Sequence, residues 1–405
     1  MDLFLLEHKK LWRKGSTKIC VVLCFVYGVI FISVLDYQWF SFGSSHAYES
    51  PFGNDFDGYS NIRERQAYAK KAGGELTEEA LQKLVQDYQQ FVAKEREEEL
   101  KKTDWSAVEG WLGTLYPELE SKSIDAYHLM MEYVETEKLT GIYERREQAV
   151  RNFLEANGQI GAEKDYLLDM DRKVKTPFRY EWTNGWELLL AYKLDELGMF
   201  MALFLAIVLS AVFAGEWHNN MGSLILTMKN GWQKIASAKI GSSILFVMEL
   251  CLLIFTGNVA AQLFYMGTGG YDMPIQNIKM LAVAPMNMLQ AELYEYAYVL
   301  LGAIGYAGIV MLISASVKNH AAALLLSLAV VYTPMMIAQY LPLSLQKTMD
   351  LIPLAGSAAD IFRTNTFHIF GKYIWSPYLL VTIPILIGIS CLPFAIKKWA
   401  RKLKG

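Results

Sequence analysis

Three side chains set seven residues apart, Ser242, Glu249 and Thr256, are the first candidates for chemistry in this sequence. That spacing is two helical turns, so the three share one face of a helix. Glu249 lies about nine residues into a long apolar run and is the one acid well inside such a run. A carboxylate at that depth costs about 3 kcal/mol on insertion scales, so it must face a bundle, a cavity or a partner. Two uses remain open. The trio lines a translocation path or binds a cation, or Glu249 is a protonated acid or a structural hydrogen-bond partner for another helix. Asn258 and Gln262 fall on roughly the opposite face and suit helix packing or an outer vestibule.

Other chemistry is thinly represented. His218 follows Glu216, but there is no HExxH, no second intramembrane histidine and no paired intramembrane aspartate for a protease or lipid enzyme. His128 stands alone. The four cysteines, Cys20, Cys24, Cys251 and Cys391, all sit in apolar runs. Cys20 and Cys24 share a helix face but lack a nearby histidine or aspartate, so they read as small buried apolar residues rather than metal ligands. No GxxxxGK[ST] phosphate loop occurs, so the chain has no means of cradling ATP by that route. No catalytic residue, metal or cofactor is expected in this chain.

The elements that must position these residues are membrane spans. Hydrophobic residues make up 53% of the chain and are concentrated in blocks. At roughly 20 apolar residues per crossing, six spans are expected near 17–37, 197–215, 240–266, 293–317, 320–341 and 375–396. The first is too long for a cleavable leader, and no small-x-small cleavage site follows it. Of the 18 Lys and Arg outside residues 41–196, 14 fall on one side of this arrangement. That bias places both termini in the cytoplasm and residues 41–196 outside.

The outer segment carries 31 acidic and 20 basic residues, while the remainder is net positive. So acidic a domain disfavours nucleic acid and anionic lipid as partners, though its charge also serves plain solubility. It reads as mostly helical. One long helix is expected over 76–102, capped by Thr77, with Leu81, Leu84, Val85 and Tyr88 on its apolar stripe. Further helices are expected from Ser123 to Lys138, over 141–156 and over 162–174. Trp182 and Trp186 then stand where aromatic residues anchor at a membrane interface.

Residues 216–239, EWHNNMGSLILTMKNGWQKIASAK, form a short polar insert between two apolar runs. Met221, Leu224, Ile225 and Met228 fall at i, i+3, i+4 and i+7, one face of a short helix. Asn230-Gly231 supplies a turn, and Trp232, Lys234 and Lys239 lead back to the interface. Amphipathicity alone fits two uses, a helix docked in a partner's groove or one whose apolar face dips into lipid.

Glu216, Gly222 six residues on, the Leu/Ile run, Lys229-Asn230-Gly231-Trp232, and Lys239 opening the next span together resemble the ABC-2 type transporter permeases. A basic helix before the first span, a large outer insert, five clustered spans and a basic tail resemble the same family. One departure is that many members carry Pro and then Ser-Arg where this chain has Lys229-Asn230-Gly231-Trp232. The likeness is closest to the large-insert permeases of Gram-positive bacteria, which are associated with efflux of peptides, antibiotics or ions.

The resemblance implies a six-helix half-transporter of the cell membrane that pairs with a second copy or a homologous permease. A separate cytoplasmic ATPase subunit, holding ATP and Mg, would dock on a coupling helix made of Glu216, Met221, Gly222, Leu224, Ile225, Met228, Lys229 and Gly231. The expected fold is an all-α polytopic membrane protein in three parts, 1–40, 41–196 and 197–405. Residues 267–292 and 342–374, broken by Gly and Pro, are expected to form short outer or re-entrant helices over the path. Glu292 and Glu295 at the mouth of the fourth span add negative field or serve as dipole partners of the helix N-terminus. A different class of function, a membrane sensor or scaffold whose outer domain binds a ligand or protein, fits the same layout.

Overall fold

The computed structural model describes residues 3–31, 59–94, 106–118, 131–191, 193–218 and 231–404. Helix α1 (Leu3–Arg13) is basic at its end, with Lys10 and Arg13 in its last turn. Lys14 is extended (φ −65°, ψ 131°), and the chain turns there by 69° into α2 (Gly15–Phe25). A π-helical turn, Val26–Phe31, continues α2.

A small domain follows, built from α3 (Tyr59–Ala72), strand β1 (Gly74–Glu75), α4 (Glu78–Ala93), α5 (Ser106–Leu115), α6 (Ile142–Ala156), α7 (Gly161–Asp171), strand β2 (Arg179–Tyr180) and α8 (Asn184–Ala191). Thr77 caps α4 as expected: its Oγ1 accepts from the Ala80 N–H at 3.2 Å, and Glu78 and Glu79 occupy the first turn. The stripe Leu81, Leu84, Val85 and Tyr88 is buried against Trp111 and Leu112 of α5. Each such aliphatic side chain contributes about 2 kcal/mol of burial.

α4 stops at Ala93 rather than continuing to 102, and residues 95–105 lie outside the described ones. Most of the helix expected from Ser123 also lies outside them, and its final residues form a 3-10 turn, Thr136–Lys138. The helices expected over 141–156 and 162–174 are present as α6 and α7. Strands β1 and β2 pair antiparallel, Gly74 opposite Tyr180, and tie the domain's two ends together.

Beyond the domain run α9 (Lys193–Leu209), α10 (Ala211–His218), α11 (Gly231–Met266), α12 (Met288–Ser316), α13 (His320–Ala338), α14 (Leu343–Met349), strands β3 (Thr366–Ile369) and β4 (Lys372–Trp375), and α15 (Ser376–Lys404). Among the described residues five helical segments are long and apolar enough to cross a membrane: Leu197–Glu216 within α9 and α10, α11, α12, α13 and most of α15. α1 and α2, counted as one bent pair, bring that total to six. The molecule is thus a mostly helical protein of the membrane-spanning type, and its described residues include four short strands that the all-α expectation did not.

The tightest helix pair is α12 with α15. A Cβ on Gly305 would stand 2.3 Å from the Pro384 carbonyl oxygen, and one on Gly308 would stand 2.2 Å from that of Gly388. Only glycine permits such backbone contact, the small-residue packing that suits helices inside lipid.

The connectors match the short helices expected only in part: α14 and a 3-10 turn, Ala358–Phe362, lie in the second, and the rest is loop and ribbon. Residues 267–287 form a loop with a single 3-10 turn, Ile275–Asn277. Residues 366–375 form a β-hairpin, with Thr366 opposite Trp375 and Ile369 opposite Lys372. Alternation in TFHI and the aromatic and β-branched residues of KYIW suit a pleated ribbon better than a helix.

Both connectors hold the domain. Arg146 and Asp171, both buried, form a two-pronged ion pair (2.6 and 3.1 Å), and Arg146 also donates to the carbonyls of Met280 and Ala282. Gln159 donates to the Thr364 carbonyl at 3.3 Å, and the Trp375 N–H donates to Tyr166. The domain and the two connectors therefore share one end of the bundle.

Candidate coupling site

At the other end, Lys239 in the third turn of α11 is only 3% exposed. Its Nζ lies 2.9 Å from Glu7 Oε2 and 2.8 Å from Glu216 Oε1. Lys10 Nζ approaches the same Glu216 oxygen at 2.6 Å. Glu7 and Lys10 are three apart on α1, so one face of that helix supplies both charges. α1 can lie this close because Gly241 has no side chain: a Cβ there would stand 3.1 Å from the Phe4 ring. A buried charge is tolerated only when paired, and here each Lys239 contact comes from a different helix. The cluster ties α1, α10 and α11 together at the roots of residues 219–230.

Glu249 is held by the same helix. Trp12 Nε1–H donates to Glu249 Oε2 at 2.9 Å, and His8 Nε2 stands 3.2 Å from Oε1. Met266 marks the domain end of α11, since its carbonyl accepts from Gln66 at 2.6 Å and Trp182 at 2.8 Å. Glu249 is 17 residues from that end, about 26 Å at 1.5 Å per residue.

Ser242 and Thr256 do not join Glu249. Ser242 is buried and donates to the Lys239 carbonyl of its own helix at 3.0 Å, whereas Thr256 is exposed on the outside of the bundle. Asn258 serves packing: its amide donates to the Gly28 carbonyl in the π-helical turn at 2.8 Å.

Six residues before Glu216 the second span is interrupted, α9 ending at Leu209 and α10 starting at Ala211. Ser314 of α12 inserts its hydroxyl where α9 meets α10. Ser314 Oγ donates to the Ser210 carbonyl at 2.6 Å and accepts from the N–H groups of Phe213 (3.1 Å) and Ala214 (3.0 Å). A side chain of another helix thus enters the backbone ladder at the break. Ser210 Oγ and His320 Nε2 at the start of α13 are hydrogen-bonded at 3.0 Å. Trp399, fully buried, packs on Phe213 with ring centroids 5.2 Å apart. Four spans thus meet at this joint.

Of the coupling residues expected from sequence, Glu216 stands in the buried cluster and Gly231 is the first residue of α11. Met221, Gly222, Leu224, Ile225, Met228 and Lys229 lie outside the described residues. So does His128. Glu292 and Glu295, expected at a mouth, are buried in the first two turns of α12 (6% and 1% exposed). All four cysteines are free thiols, and Cys24 contacts Met201 through sulfur at 3.7 Å.

Sequence reasoning missed Glu7, Lys10 and the Ser210–Ser314–His320 joint. The one available signal for the first two was an acid three residues ahead of a lysine in an otherwise basic, amphipathic helix. Compared with protein-family models, with characterised proteins and with solved structures, the chain matches none.

Proposed function

We propose that this chain is the permease subunit of an ATP-driven exporter of the ABC-2 type, moving a peptide, antibiotic, lipid-like molecule or ion outward. A separate ATPase subunit, holding ATP and Mg, docks on residues 216–239 at the cytoplasmic face. The domain then lies outside a cell membrane, and two permease subunits form the path between them. No family model matches the chain, so the reading rests on the span layout and on the residues of the 216–239 segment.

The observation that carries it is the rooting of that segment. Glu216 and Lys239, at its two ends, meet in one buried ion cluster that also holds α1. A push on the segment is thereby shared among three helices, and the break at Ser210 lies in the path of the force.

A second reading, a membrane sensor or scaffold, draws on a different observation. The domain is locked to both connectors through Arg146 and Gln159, so a ligand bound to it is continuous with the spans. Transport separates the two. Export or resistance is measured across a panel of peptides and cations, with and without the ATPase subunit. Substitution of Glu216, or of the face from Met221 to Met228, abolishes export and ATPase stimulation while leaving membrane insertion intact. Normal export and stimulation in those variants would sink the exporter reading.

A further inference from the structure

A cleft of about 340 Å³ opens where the domain meets the start of the fourth span, large enough for a small ligand's polar head. One wall carries Lys173, Lys175 and Arg179 from the segment leading into β2. The other is the connector around Asp272 and Gln276, with Asn287 and Gln290 at the first turn of α12.

Its charge runs against that of the domain. Residues 41–196 hold 31 acids and 20 bases, whereas this cleft holds three cations and one acid, Asp272. Arg179 is loosely paired, 3.7 Å from Asp272 and 3.6 Å from Glu181, both too far for a hydrogen bond. Among the described residues neither Lys173 nor Lys175 makes an ion pair, and both side chains are exposed. The N-terminus of α12 adds a positive dipole end to the same place.

Gln276 is a second, independent sign. It is fully buried, and its amide nitrogen donates to the carbonyls of Ala282 and Ala284, each at 2.8 Å. Those two acceptors fix the amide's orientation. Its Oε1 then has no donor, an uncommon state for a buried oxygen.

Position narrows the ligand. Asn287 caps a membrane span, so the cleft lies at the membrane surface on the domain side. Pro274, Pro285 and Met286 give it an apolar wall. We propose that this cleft binds the headgroup phosphate of an anionic glycerophospholipid, held by Lys173, Lys175 and Arg179. A choline headgroup supplies no net negative charge for the three cations to hold, so it is excluded. The domain's overall acidity disfavours anionic lipid elsewhere on its surface, which confines the contact to this cleft.

The test uses the full-length chain in detergent micelles, titrated with phosphatidylglycerol, phosphatidylcholine, glycerol 3-phosphate or inorganic phosphate and read by native mass spectrometry. Phosphatidylglycerol binds, and the triple change K173E/K175E/R179E weakens it about tenfold or more, each basic residue near a charged lipid surface contributing comparably. A control triple of exposed lysines elsewhere on the domain, K71E/K83E/K94E, leaves it unchanged. Circular dichroism and thermal unfolding confirm that both triples are folded. Equal binding of phosphatidylcholine, or equal loss in the two triples, overturns the proposal. Glycerol 3-phosphate or inorganic phosphate binding as tightly as the lipid shows a soluble phosphate ligand and overturns the lipid source.

Discussion

Ser314 fills a gap in the backbone of a neighbouring helix: its hydroxyl lies 2.6 Å from the Ser210 carbonyl and accepts from both Phe213 and Ala214. One side chain thereby satisfies three backbone groups, in a setting where each unsatisfied buried group costs about 1–3 kcal/mol. Ser314→Ala should lower the thermal unfolding midpoint in detergent, whereas Ser314→Thr, which keeps the hydroxyl, should hold it near wild type. Equal midpoints for Ala and Thr would show that the stability of the joint does not depend on the hydroxyl.

The ion cluster makes an asymmetric prediction. Glu216 is 9% exposed at its side chain and Lys10 is 48% exposed. Glu216→Ala strips Lys239 of one of its two acids and should cost about 3–5 kcal/mol, the usual result of leaving a buried charge underpaired. Lys10→Ala removes a half-solvated partner and should cost about 0–1 kcal/mol. Unfolding midpoints of the two variants measure the difference, and comparable losses would contradict the burial argument.

Glu249 tests a path against an anchor. Its partners are His8 and Trp12 of α1, and its side chain is 37% exposed. Glu249→Gln keeps an acceptor for the Trp12 N–H and should leave export within about twofold of wild type. Trp12→Ala should instead free α1, seen as faster proteolysis of residues 3–13. Loss of export in Glu249→Gln, with α1 still protected, would put the carboxylate back in the transport path.

Arg146 and Asp171 should behave as a buried pair. Arg146→Met alone leaves an unpaired carboxylate and removes the bonds to Met280 and Ala282. A loss of about 3–5 kcal/mol is expected, much of it recovered when Asp171→Leu is added. Limited proteolysis within 267–287 should quicken in the single variant and slow again in the double one. No recovery in the double variant would mean that the bonds to the connector, and not the charge balance, carry the effect.

Much of this architecture was legible in the sequence because lipid imposes strong local rules. Long apolar runs gave the spans, and Thr77 with the Leu81–Tyr88 stripe gave α4. What escaped depends on contacts between distant residues. Lys239 was readable as the start of a span, but its partners Glu7 and Glu216 lie 232 and 23 residues away. The helix that carries Glu249 begins at Gly231, ahead of the span expected from 240, and α1 runs beside its first half, a contact no local pattern announces. Ser314 is one of two serines near the end of an apolar helix, and no periodicity announces that it enters another helix's ladder. The hairpin at 366–375 was obscured by its glycine and by the proline-broken stretch before it.

The central claim is that residues 216–239 receive an ATPase subunit. The most direct measurement is site-specific photocrosslinking from Met221, Leu224, Ile225 and Met228 in native membranes, followed by purification of the full-length chain. The account predicts an ATP-hydrolysing subunit, stoichiometric with this chain, crosslinked from all four positions and absent from crosslinks placed in the domain. Purification with no ATPase, or with a kinase crosslinked in its place, would contradict it.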